Sequence, residues 1–211
     1  MWLTWLVLAG LAAGSLRETS AHDLYTAYIQ HRVYLSVGAR HVDLTLDLTF
    51  FEEWSSRERR KMDANTNGLI ARVEVERYLK KLALELVKQV RLLVAGHEVP
   101  LVSLYEPEVD LLGSDKASPG HHQLRLFLFA PTPPGLRAAD DLVIEDRLWP
   151  EAKALGAVQA EGSDGCALEP EKPGDPGFAP ARSGEARVFK VKCLKPPTAQ
   201  PAAHNATRPT P

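Results

Sequence analysis

His41-Val42-Asp43-Leu44-Thr45-Leu46-Asp47-Leu48-Thr49-Phe50 alternates polar and apolar residues along its whole length. Successive side chains of a strand point to opposite faces, so this period of two describes a strand with one buried and one wet face. Upstream, beyond Gly38-Ala39-Arg40, the run from Leu24 carries the same pattern. Ile29, His31, Val33, Leu35 and Val37 share one parity; Tyr28, Gln30, Arg32, Tyr34 and Ser36 share the other. Two such runs about a short Gly-containing break predict an antiparallel hairpin. Downstream, Val90 to Val94, Glu98 to Leu104, Gln123 to Phe129, Asp141 to Asp146, Ala154 to Gln159 and Ala186 to Leu194 read as further short strands. Pro and Gly punctuate between them at 131–135 and 172–180. Some seven or eight strands within residues 22–194 predict a mostly β domain, an Ig-like antiparallel β-sandwich.

A helical insertion at about residues 52–92 interrupts the strands. Ser55 to Met62 has helical propensity but is almost wholly polar, with Trp54 and Met62 as its anchors. Arg57, Arg59, Arg60 and Lys61 lie among Glu52, Glu53 and Glu58, the composition of a solvated helix face. After Glu74, Val75, Tyr78, Leu79, Leu82, Leu86 and Val90 recur every three or four residues, one apolar stripe on a helix of about five turns.

Between the two helices lies Asp63-Ala64-Asn65-Thr66-Asn67-Gly68-Leu69-Ile70-Ala71-Arg72-Val73-Glu74. This stretch resembles the 12-residue calcium loop of an EF-hand. Asp63, Asn65 and Asn67 occupy positions 1, 3 and 5 with short oxygen-bearing side chains, and Gly68 supplies the sharp turn at position 6. Leu69 at position 7 offers its backbone carbonyl, Ala71 at position 9 leaves a ligand place to water, and Glu74 at position 12 closes the shell with both carboxylate oxygens. The site residues expected to hold Ca2+ are therefore Asp63, Asn65, Asn67, Leu69 and Glu74. Only Asp63 and Glu74 bring formal negative charge, which predicts weak to moderate affinity, suited to a calcium-rich exterior. Hard amide and carboxylate oxygens disfavour zinc and copper in this loop. A sensor hides and exposes apolar faces on both helices; the polar first helix predicts a structural ion instead. Asp110 to Gly120, Asp164 to Gly165 and Asp175 to Gly184 all fail the ligand spacing, so the hand is expected to have no partner loop in the chain, leaving Ile70 at position 8 to pack elsewhere.

Residues 1–21 read as an export signal. Trp2 to Ala13 is apolar but shorter than the roughly 20 residues of a membrane span, and Thr19-Ser20-Ala21 offers small residues for cleavage before His22. An uncleaved N-terminal anchor is the alternative. The expected location is periplasmic or extracellular. Cys166 and Cys193 fit export as a disulfide closing a loop of about 26 residues. The net charge of −2 and the absence of a basic stripe exclude a nucleic-acid partner. Residues 195–211 are Pro-, Ala- and Thr-rich, the composition of a disordered tail.

Ala21-His22-Asp23-Leu24, the alternating hairpin to Phe50, the calcium-type loop and Tyr78-Leu79 follow in an order that resembles the exported N-terminal domain of bacterial membrane proteins related to the hydrogenase/urease-accessory nickel transporters. The likeness covers residues 21–105. Asp23 stands where that family has proline, and its membrane part is absent from this sequence. The resemblance implies an envelope role beside metal handling and an envelope or membrane-protein partner. The leading functional expectation is an exported, non-catalytic calcium-binding protein of open oligomeric state. The alternative is a copper- or nickel-binding or delivery protein that uses the amine and imidazole of a mature N-terminal His22, with Asp23, His31, His41 or His121-His122 completing the site. No Gly-x-Ser-x-Gly, His-Glu-x-x-His or phosphate loop is present, and no enzyme is expected.

Overall fold

The computed structural model describes residues 28–103, 105–171 and 185–198. β1 (Tyr28–Val37) and β2 (His41–Phe50) form the expected hairpin, paired from Ile29↔Phe50 to Val37↔Val42. α1 (Glu52–Met62) and α2 (Arg72–Lys88) follow. The chain then runs through β3 (Val90–Val94), β4 (His97–Val99), β5 (Glu108–Asp110), β6 (His122–Pro131), β7 (Asp141–Asp146), β8 (Lys153–Gly162), β9 (Ala167–Pro170) and β10 (Arg187–Lys195). The strands make two five-stranded sheets, ordered β5-β6-β2-β1-β8 and β4-β3-β7-β10-β9.

The period-two residues build the space between them. Ile29, Val33, Leu35, Leu44, Leu46, Leu48, Leu124 and Leu126 come from the first sheet, and Leu92, Leu142, Ile144, Phe189 and Val191 from the second, all in one buried cluster. Trp54, Leu79 and Leu86 join it from the helices and seat the helix pair on the sheets. The apolar stripe ends at Leu86; Val90, read as part of it, is instead the first residue of β3, and the insertion is shorter than expected.

Several expectations need correction. The sheets are not wholly antiparallel. β1 and β8 run parallel from Tyr28↔Lys153 to Val37↔Gly162, because residues 147–152 carry the chain from the second sheet to the first in one crossing. β5 and β9 were not expected; at three and four residues they are too short to show a period. The tail boundary also moves. Lys195 pairs with Ala167, and the N–H of Thr198 bonds to the Asp164 carbonyl (2.8 Å). Cys166 and Cys193 are free thiols rather than a disulfide. They are nonetheless neighbours within hydrogen-bonding reach, and burial, with Cys193 beside it, pushes the Cys166 thiol up to about 11. The signal segment 1–21, His22, Asp23 and residues 199–211 lie outside the described residues. Among those described, no helix is long and apolar enough to cross a membrane.

Candidate metal centre

The loop between α1 and α2 folds back on its own oxygens. Asp63 ends α1 and gives its N–H to the Arg59 carbonyl (3.0 Å). Its Oδ1 accepts the N–H of Asn67 (3.1 Å), and its Oδ2 accepts that of Gly68 (2.9 Å). Asn65 Oδ1 also accepts the Asn67 N–H (2.9 Å), and Asn67 Oδ1 accepts the Leu69 N–H (2.8 Å). Each short side chain thus holds its oxygen over the turn it starts. Gly68 sits at φ +84°, in the left-handed region that only glycine enters without strain.

Glu74 closes the loop from the other side. It lies in the first turn of α2, where the helix dipole favours an anion. Its Oε2 accepts the Ala71 N–H (2.9 Å) and its Oε1 the Asn65 N–H (3.2 Å). These amides, Ala71 foremost, hold its carboxyl below the usual carboxylate range against the opposing effect of burial. Asp63 and Glu74 are both buried.

The segment after β5 supplies what the sequence did not show. Ile70 donates its N–H to the Asp115 carbonyl (2.6 Å), and Ala117 donates to the Gly68 carbonyl (2.9 Å), so Leu69 and Lys116 stand opposite in an antiparallel bridge. In that pattern the N–H and C=O of Leu69 itself turn away from Lys116 and back toward the loop. The loop therefore has a partner strand inside the chain, drawn from the Asp110 to Gly120 stretch that fails as a second loop, and Ile70 is buried.

α1 also departs from its expected solvated face. Arg59 is buried, and all of its N–H groups are used. Nη1 donates to the carbonyls of Ser114 (2.8 Å) and Lys116 (2.9 Å), Nη2 to those of Leu111 (2.7 Å) and His121 (2.6 Å), and Nε to Ser55 Oγ (3.2 Å). Glu58, also buried, accepts Lys61 Nζ (2.7 Å), Trp149 Nε1 (3.0 Å) and the Tyr78 hydroxyl (2.6 Å). Burial and the adjacent Glu58 push the Tyr78 phenol well up, so it stays a donor. A cleft of about 480 Å³ opens beside the loop, with Met62, Leu82, Leu86, Trp149 and Glu74 among its lining residues.

Among the described residues no group of three or more His, Cys, Asp or Glu side chains is arranged to hold a metal ion. The loop offers a different donor set: two carboxylates, two amide oxygens and a backbone carbonyl, all hard oxygens of the kind calcium takes. The histidines weighed for copper or nickel are scattered. His31 is buried against Asp146, and His41 is exposed beside Asp43 (3.1 Å). His121 packs edge-on to Phe51. His122, named with His121 as completing that site, is buried at the start of β6, stacked on Phe50 at 4.4 Å with Nδ1 2.7 Å from Ser55 Oγ. No protein-family model matches this sequence, and no curated protein matches it.

His122 gives the fold an acid limit. Burial, with the Arg59 guanidinium nearby, pushes its imidazole down to about 3 from an ordinary 6.5. The folded state therefore holds it neutral while an unfolded chain takes up a proton. Stability is expected to be level above about pH 6.5 and to fall by a few kcal/mol as pH drops toward 3. Urea melts at several pH values should show a shallower acid slope in His122→Gln. An unchanged slope would exclude His122 as the titrating group.

Proposed function

We propose that the chain is an exported, non-catalytic domain that binds one calcium ion at residues 63–74, in an EF-hand inserted into an Ig-like sandwich. The observation that carries this reading is the convergence of Asp63, Asn65, Asn67 and Glu74 on a loop already shaped by its own amides, with the Leu69 carbonyl turned inward. A preorganised oxygen cage lowers the ordering cost of binding. The bridge at Leu69 supports the EF-hand assignment, since it gives position 8 the strand partner that a second hand would otherwise provide. The strand orders support the Ig-like assignment. β5-β6-β2-β1 runs as D-E-B-A, and β4-β3-β7-β10 as C′-C-F-G, with β8 and β9 as additions.

The ion is structural in this reading. Arg59 and Glu58 pin α1 to the segment after β5 and to Trp149, so the first helix is not free to swing. Export would place the domain in the periplasm or outside the cell, where calcium is plentiful. An envelope or membrane-protein partner accords with the resemblance of residues 21–105.

Calorimetric titration of the purified chain tests the site. Wild type should bind one calcium saturably, with a Kd of about 10⁻⁴–10⁻³ M, and prefer it to magnesium. Glu74→Gln should lose that binding while keeping the fold, because one bidentate carboxylate ligand is gone. Absence of binding up to several millimolar calcium would overturn the assignment.

A further inference from the structure

We infer that the free edge of β8 is a self-association surface, to which a second copy of the chain adds its own β8 antiparallel, centred on Ala157. β8 ends its sheet, and its ladder runs only to β1. Among the described residues no strand pairs with its other edge. Proteins normally guard a long edge with charge, proline, a bulge or brevity. The other sandwich edges follow that rule by brevity, with three residues in β5, three in β4 and four in β9. β8 has ten residues, and Ala154 to Ala160 contains neither charge nor proline.

The two charges that β8 does carry select the occupant. Lys153 and Glu161 lie four residues either side of Ala157, share its parity and are exposed with it. In an antiparallel pair about Ala157, each Lys153 stands opposite Glu161 of the other copy, so both ends of the ladder close with opposite charges. In-register parallel pairing would set like against like, and a shifted antiparallel register would separate the charges. The inward parity raises no obstacle. Gly156 lies so close to the Phe189 ring that an added Cβ would meet it at 2.8 Å, which keeps the strand flat on the sandwich. Lys153 Nζ rests 5.8 Å over the ring of Tyr28, its register partner on β1. Pairing of this kind would join two five-stranded sheets into one continuous sheet across a two-fold axis.

Sedimentation velocity of the purified chain over a range of concentrations at low salt tests this. Wild type should form a dimer that dissociates on dilution. Lys153→Glu and Glu161→Lys should each weaken it roughly tenfold by placing like charges opposite each other at both ends. The double exchange Lys153→Glu/Glu161→Lys should restore wild-type association. Glu161→Lys leaves the Tyr28 contact untouched, so circular dichroism of that variant separates an edge effect from a folding defect. A monomer at every concentration, or a dimer indifferent to both single exchanges, would overturn the inference.

Discussion

Arg59→Met is expected to lower folding stability by about 3–5 kcal/mol and to weaken the proposed calcium binding at residues 63–74 roughly tenfold. The guanidinium is the only cation bound to the carbonyls of Leu111, Ser114, Lys116 and His121 by described hydrogen bonds. Methionine fills much of the volume but takes this donor from the part-buried carbonyls of Ser114, Lys116 and His121, while the Leu111 carbonyl keeps the Ser114 N–H; an acceptor left without its donor costs more than the bond contributed. The binding effect follows from position. Arg59 holds Ser114 and Lys116, while Asp115 and Ala117 bridge to Ile70 and Gly68, so the brace and the loop 63–74 share one short strand. Arg59→Lys keeps the charge but cannot fan out to four acceptors, and should recover only part of the loss. Urea denaturation and calcium titration of the three proteins measure both effects. A wild-type midpoint in Arg59→Met would mean that the segment after β5 is held by other contacts.

The same residue marks where sequence reading runs out. The oxygens of Asp63, Asn65 and Asn67 and the turn at Gly68 were legible because their contacts are local, spanning two to five residues, and local geometry leaves its mark on spacing. The brace is not local. Arg59 reaches carbonyls 52 to 62 residues away, and a backbone carbonyl has no residue signature. Hydropathy therefore read Arg59 and Glu58 as solvated, although each is buried among fixed partners. The strands divide in the same way. β2 and β7 appear in the sequence with their observed limits, because one face of each is buried without interruption. The parallel partner of β1 was invisible, since period two reveals a strand but not its neighbour. His31 carries a local signal of its own. It shares the buried parity of Ile29 and Val33, which points to a core histidine rather than a surface ligand.

Asp146→Asn should cost about 3–5 kcal/mol, for a reason that joins the two sheets. Asp146, at the end of β7, is paired in register with Arg187 on β10, and across the sandwich its Oδ2 lies 2.5 Å from His31 Nδ1 on β1. Arg187 reaches the same carboxylate at 3.3 and 3.4 Å and also donates to the Leu148 carbonyl. Burial opposes the charge on Asp146, but His31 and Arg187, together with the Leu148 N–H, outweigh it and hold the carboxyl below its ordinary value of 3.8. Burial, exceeding the attraction of Asp146, drives His31 below 6.5 and keeps it neutral. Asparagine preserves the shape but strands the Arg187 cation in the core. Replacing both charges, as in Asp146→Leu/Arg187→Met, should therefore be milder than Asp146→Asn alone, since no buried charge is left without its counter-ion. Both depressed groups act in the same direction with pH. The part owed to His31 is present above about 6.5 and is lost as pH falls, while the part owed to Asp146 is present above about 3.8 and is lost as pH falls further. Asp146→Asn should be less stable than wild type at pH 7, and the gap should narrow as pH falls below about 3.8, where the unfolded carboxylate takes up its proton ahead of the depressed folded one. Parallel urea melts that stayed a constant distance apart across that range would assign the cost to packing rather than to the ion pair.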